Sequence, residues 1–207
     1  MFRDLITDEK DLRALLGSPS EVALKKQIAR LDAHCRAFIA HAPFVALATA
    51  DGEGRCDVSP KGDPAGFVRV LDDTHLVIPD RPGNKRLDGL RNILASPHVG
   101  LLFLVPARGE TLRVNGRACI TRDPDLLATM AVEGKVPSLA IGVEVDEVFL
   151  HCAKAFKRSG LWEPARWPDI SRLVTSAKIF HDQVKIPGMT VEDYERRLAT
   201  GYQTGLY

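Results

Sequence analysis

Seven short apolar or alternating runs follow one another between residues 44 and 150, at 44–50, 55–59, 67–71, 75–78, 99–105, 111–121 and 141–150. Turn residues separate several of them: Asp51-Gly52-Glu53-Gly54, Asp72-Asp73 and Pro106 to Gly109. Strands this short bury little on their own and need neighbours on both sides. The spacing therefore predicts a mainly β (α+β) fold, a small antiparallel barrel of six or seven strands with peripheral helices. Within 111–121, Gly116 marks a bulge or a close backbone approach.

Helices are expected around this block. The spacing predicts a long one over residues 19–40, where Ser18-Pro19-Ser20-Glu21 reads as a capping box with proline at the first helical position. Leu24, Ile28, Leu31, Cys35, Phe38 and Ile39 would form its apolar stripe. Further helices are expected at 84–95, from Asp123-Pro124 onward, and at 153–158, 169–184 and 190–199. The resulting organisation is a helical segment (1–43), a barrel (44–150), and helices and loops packed on the barrel (151–207), one domain overall.

Composition narrows the function. A net charge of +1 over 207 residues provides no general field for nucleic acid, so any anion site must be local. No apolar run approaches the roughly 20 residues of a membrane span. The four cysteines, Cys35, Cys56, Cys119 and Cys152, form no C-x-x-C pair, and no metal-ligand set stands out. Their scattered use and an N-terminus without an apolar signal region fit a cytoplasmic protein. His34-Cys35 and His151-Cys152 do not form catalytic dyads by adjacency, because neighbouring side chains diverge on helices and strands alike.

The segment richest in chemistry is Pro79-Asp80-Arg81-Pro82-Gly83-Asn84-Lys85-Arg86-Leu87-Asp88, between a strand and a helix. Asn84 is a candidate N-cap, and Arg81, Lys85, Arg86 and Arg91 bring four cations to the helix start. Free amides, a positive dipole end and these charges suit a phosphate dianion; the alternative is a solvated basic helix face. Arg69, on the Val68-Arg69-Val70-Leu71 strand, faces either solvent or a ligand. Glu110 to Arg117 alternates as a half-buried strand does.

Taken in order, these pieces resemble the FMN-binding split-barrel superfamily that includes pyridoxamine-5′-phosphate oxidase. The match rests on Arg69-Val70-Leu71, then Asn84-Lys85-Arg86, Ser96-Pro97, Gly100-Leu101-Leu102-Phe103 and Leu112-Arg113-Val114-Asn115-Gly116. A bacterial subgroup of probable FMN-dependent enzymes is more similar still, through residues 57–63, 79–84 and 151–162. Three features depart from the pattern. Asn84 replaces the clamp serine, Thr111 stands where a flavin-ring glutamine is common, and the arginine-x-histidine feature near the C-terminus is missing. FMN binding thus carries over better than the vitamin B6 reaction.

The resemblance implies a hydride-transferring oxidoreductase for a small molecule, with NAD(P)H a candidate reductant and a homodimer holding FMN at its interface. It assigns the FMN phosphate to Lys85 and Arg86, with Asp80, Arg81 and Asn84 completing the pocket. Arg69, Val70 and Thr111 would lie along the ring and ribityl chain, and Ser59 and Lys61 would face the same cavity, the alternative for Lys61 being a loop lysine in water. Lys154, Arg158, Ser159 and Trp162 would reach the flavin, from the partner chain, or else form an exposed basic helix with a packed tryptophan. The competing class is a non-catalytic carrier of flavin, haem or deazaflavin. Haem would call on His75 or His98, the histidines of the barrel region.

Overall fold

The computed structural model describes residues 1–207. Three short helices come first: α1 (Glu9–Leu16), α2 (Glu21–Lys25) and α3 (Ala33–His41). Then follow β1 (Phe44–Ala50), β2 (Cys56–Gly62), β3 (Arg69–Val70), β4 (His75–Pro79), α4 (Asp88–Ala95), β5 (His98–Leu104) and β6 (Thr111–Thr121). The chain continues with α5 (Pro124–Ala128), β7 (Ala140–His151), α6 (Lys154–Ser159), a single 3-10 turn at Pro164–Arg166, α7 (Ser176–Val184) and α8 (Val191–Thr204).

The seven strands form one antiparallel sheet in the order β2-β1-β5-β6-β7-β4-β3. It is the expected α+β architecture, and the sheet stays open, with β2 and β3 as its edges. Alternation decides which side is buried: Val45 and Leu47 of β1, Leu101 and Phe103 of β5, and Leu112 and Val114 of β6 enter one core with Ile78, Ile141 and Val143. Pro60 is tolerated in β2 because an edge strand does not need every amide.

The β6–β7 ladder shifts register between Asn115 and Gly116, the bulge expected there. A Cβ on Gly116 would lie 2.1 Å from the main-chain oxygen of Glu144, an approach that only backbone movement relieves. Gly116→Ala is expected to cost about 1–3 kcal/mol by forced displacement, measured as a lower urea midpoint with an unchanged slope. An unchanged midpoint would contradict the close approach.

The single helix expected over 19–40 is broken in two. The amide and carbonyl of Ile28 both pair with Val148 (3.0 and 2.7 Å), and the Leu31 amide donates to the Asp73 carbonyl at 2.6 Å. These bonds pull residues 28–31 onto the sheet and leave Leu24 exposed. Helix formation restarts at Asp32, whose carboxylate caps the Cys35 amide. Ser20, not Ser18, caps α2, so Pro19 lies outside it. The helix expected from residue 169 begins at Ser176, where Thr175 supplies a cap. Helices α7 and α8 pack chiefly on each other rather than on a strand, and only Ala177 and Tyr194 are buried in them. No helix is long and apolar enough to cross a membrane.

Candidate functional site

The open edge of the barrel is where charge collects. β2 and the segment after β4 face each other without a backbone ladder, and side chains bridge the split. Lys61 Nζ lies 2.9 Å from Asp80 Oδ1, and Arg81 Nε lies 2.6 Å from Asp63 Oδ2. The second pair is deep, with the Asp63 side chain 1% exposed and that of Arg81 14%. Arg81 also donates to the Met130 carbonyl at 2.8 Å, and its guanidinium stands 5.3 Å from the Tyr207 ring centre. The Tyr207 hydroxyl donates to the other Asp63 oxygen at 2.7 Å. That hydrogen bond, followed by burial and the Asp63 charge, raises the phenol above its ordinary pKa.

A cavity of about 660 Å³ opens over this bridged split. Leu47 and Ile141 contribute apolar surface, Ser59 and Lys61 come from β2, and Asp80 to Lys85 from the turn after β4. The start of α4, the Lys135 to Leu139 loop and Tyr207 complete it. The volume lies within the range of small-molecule and cofactor sites. Gly89 seats α4 against β2: a Cβ there would stand 3.6 Å from Ser59 Oγ.

The turn into α4 is unusual. Lys85 (φ 60°) and Leu87 (φ 59°) both occupy the left-handed region without being glycine, at about 1 kcal/mol each. Asn84 does not cap the helix as expected. Its side chain accepts the Arg86 amide at 2.9 Å, folding a local turn that delays the helix to Asp88. Leu87 then occupies the N-cap position and provides no side-chain cap. The first-turn amide of Gly89 takes the Asp88 carboxylate at 2.9 Å. Charge is mostly paired: Lys61 with Asp80, Arg81 with Asp63, and Arg86 with Asp88 at 3.5 Å. Lys85 lines the wall with no carboxylate partner.

The structure thus gathers Ser59, Lys61, Asp80, Arg81, Asn84 and Lys85 around one cavity. Arg86 lies outside its lining and is largely exposed. Arg69 reaches away, donating to the Thr129 carbonyl at 3.3 Å, and Val70 packs against the core. Thr111 is buried at the start of β6, opposite His151. Lys154, Arg158 and Ser159 are exposed on α6, where the Ser159 hydroxyl donates to the Phe156 carbonyl at 3.1 Å. Trp162 stacks on Phe156 at 5.7 Å and donates to the Arg108 carbonyl at 2.8 Å. Arg69, Val70, Thr111, Lys154, Arg158, Ser159 and Trp162 are all absent from the lining of the cavity in their own chain. Asp63, Lys135 and Tyr207 are the participants that sequence reasoning missed. Asp63 ends the 57–63 motif already singled out; Tyr207 had no signal.

A second cleft, of about 540 Å³, lies between α3 and the β6–β7 end of the sheet, lined by Phe38, Leu112 and Phe149 among others, with Lys26, His34, His41 and Arg108 at its edges. Burial pushes the Cys35 thiol up to about 11, so at neutral pH it stays protonated beside His34. His75 is exposed and held by Asp72, and neither it nor His98 borders the cavity at the split.

No curated protein matches the chain. Among solved structures, HupZ of Group A Streptococcus is 19% identical, with a TM-score of 0.46 over 57% of this chain and 92% of that one. General Stress Protein 26 of Bacillus anthracis is 16% identical, with a TM-score of 0.42 over 56% and 93%. HutZ, the heme storage protein of Vibrio cholerae, is 18% identical, with a TM-score of 0.42 over 58% and 94%. The family model described as pyridoxamine 5′-phosphate oxidase matches residues 31–152, a stretch that holds all seven strands, both sides of the split and more than half of the chain. By that match the chain belongs to the pyridoxamine 5′-phosphate oxidase family.

Proposed function

We propose that this protein binds FMN at the split of its barrel and uses it as an oxidoreductase on a small molecule. One observation carries the reading. The cavity of a member of this family combines a lysine without a carboxylate partner, Lys85, with the start of α4, where Leu87 offers no side-chain cap and Asp88 holds the Gly89 amide alone, beside an apolar wall from Leu47 and Ile141. A phosphate monoester suits the first part and an aromatic ring the second.

In this reading Lys85 and Ser59 hold the phosphate at the start of α4. Lys61 and Asp80, already paired, shape the rim, and Arg81 acts from behind by fixing Asp63 and the turn. Bound FMN supplies hydride-accepting chemistry, and the protein orients it and limits water. The ring passes toward the subunit partner in a homodimer, where Thr111, Arg158, Ser159 and Trp162 of a second chain cover it; Arg69 and Val70 buttress the strand beneath. NADPH or NADH is the proposed reductant.

Purified protein is expected to quench FMN fluorescence on titration, to be reduced anaerobically by NADPH or NADH, and to be reoxidised by an added acceptor. Quenching without reduction would make it a carrier. Failure to quench FMN, together with a Soret band on adding haemin, would replace the flavin reading with a haem one.

A further inference from the structure

One of the residues lining the cavity, Tyr207, comes from far along the chain. Tyr207 lies beyond α8, and the exposed Gly205 and Leu206 lead to it, yet it is held at three points. Its hydroxyl donates to the buried Asp63 at 2.7 Å, its ring packs under the Arg81 guanidinium at 5.3 Å, and its main-chain oxygen accepts from Lys135 Nζ at 2.9 Å. Asp63, Arg81 and Lys135 come from three different segments around the split. By contrast, the α7–α8 hairpin that precedes Tyr207 finds little else to hold: apart from Ala177 and Tyr194 it is not buried. The strongest ties between this hairpin and the barrel are therefore those made by one side chain and one carbonyl.

We propose that Tyr207 is a latch: it fastens the α7–α8 hairpin to the barrel and forms the removable wall of the cavity, so that its release sets the rate at which ligand enters and leaves. The proposal takes the cavity to be the FMN site, as above. Asp63 and Arg81 stay paired when the latch opens, because Tyr207 uses the carboxylate oxygen that Arg81 leaves free. Opening thus breaks a hydrogen bond to a charged acceptor, a ring–guanidinium contact and the Lys135 bond to the Tyr207 main-chain oxygen, and exposes the Lys135 ammonium to solvent while the Asp63–Arg81 pair stays intact.

Two variants and two readouts test this. Tyr207→Ala removes the ring and the hydroxyl; Tyr207→Phe removes the hydroxyl alone. Without ligand, amide hydrogen exchange across residues 176–204 is expected to rise roughly tenfold in the alanine variant, the scale of a lost hydrogen bond to a charged group, and less in the phenylalanine variant. In stopped-flow fluorescence the alanine variant is expected to bind and release FMN faster, with both rates raised by a similar factor and the equilibrium affinity changed much less. Unchanged exchange would overturn the latch. Faster exchange with unchanged FMN rates would overturn its role as a gate. If neither wild type nor variant binds FMN but the exchange difference is present, the latch stands and the flavin reading of the cavity is what fails.

Discussion

Arg81→Met is expected to destabilise the fold by about 3–5 kcal/mol, the scale of breaking a buried ion pair from one side. In wild-type protein the Asp63 side chain is 1% exposed and receives Arg81 on one oxygen and the Tyr207 hydroxyl on the other. Removing the guanidinium leaves the buried carboxylate side chain with one neutral donor, the Tyr207 hydroxyl. The same change deprives the Met130 carbonyl of its donor. For a chain of this size the loss corresponds to a fall in melting temperature of roughly 10 °C. Adding Asp63→Asn should recover much of it, since the double variant removes the unpaired charge as well as the pair. Circular-dichroism melts of the two single variants and the double variant form a cycle. A loss below about 1 kcal/mol for Arg81→Met, the range of a surface ion pair, would mean that the split is not held together in this way.

That prediction rests on contacts the sequence did not reveal. β6 was legible at its full extent, 111–121, because charged and apolar residues alternate there and a turn precedes it. β1 was legible at 44–50 for a different reason, a short apolar run that starts just after Pro43 and ends at the Asp51-Gly52 turn. The break in the first helix was not. Ile28 and Leu31 sit at helical spacing from Cys35, and nothing local shows that their amides bond Val148 and Asp73 instead. Distance along the chain hid the site in the same way. The 79–88 turn announced itself by its prolines, glycine and cations, and Lys85 does line the cavity. Arg81 looked equally available, but its partner Asp63 is 18 residues away, and the Tyr207 hydroxyl reaches that carboxylate across 144 residues. Local composition gives the sign of a charge; only the closure of the barrel decides which charges neutralise each other. The Asn84 cap failed for a local reason, competition from the Arg86 amide two residues on.

The pairing scheme leads to the second large effect. With Lys61 and Arg81 each beside a carboxylate and Lys135 donating to the Tyr207 main-chain oxygen, Lys85 is the cation of the cavity wall free to meet a phosphate at the start of α4. A charge-assisted hydrogen bond lost on truncation is worth about 1.5–3 kcal/mol. Lys85→Ala should accordingly weaken FMN by roughly 10- to 100-fold, while riboflavin, which shares the ring and ribityl chain but lacks the phosphate, is weakened little. Arg86→Ala should change either affinity by less than about threefold, because Arg86 is exposed, outside the lining and paired with Asp88.

Fluorescence titrations of FMN and riboflavin against wild type, Lys85→Ala and Arg86→Ala test the placement of the phosphate at the split. The expected result is a loss confined to FMN and to Lys85→Ala. Equal losses of both ligands in Lys85→Ala, or an FMN affinity that no change at Lys85 disturbs, would contradict it.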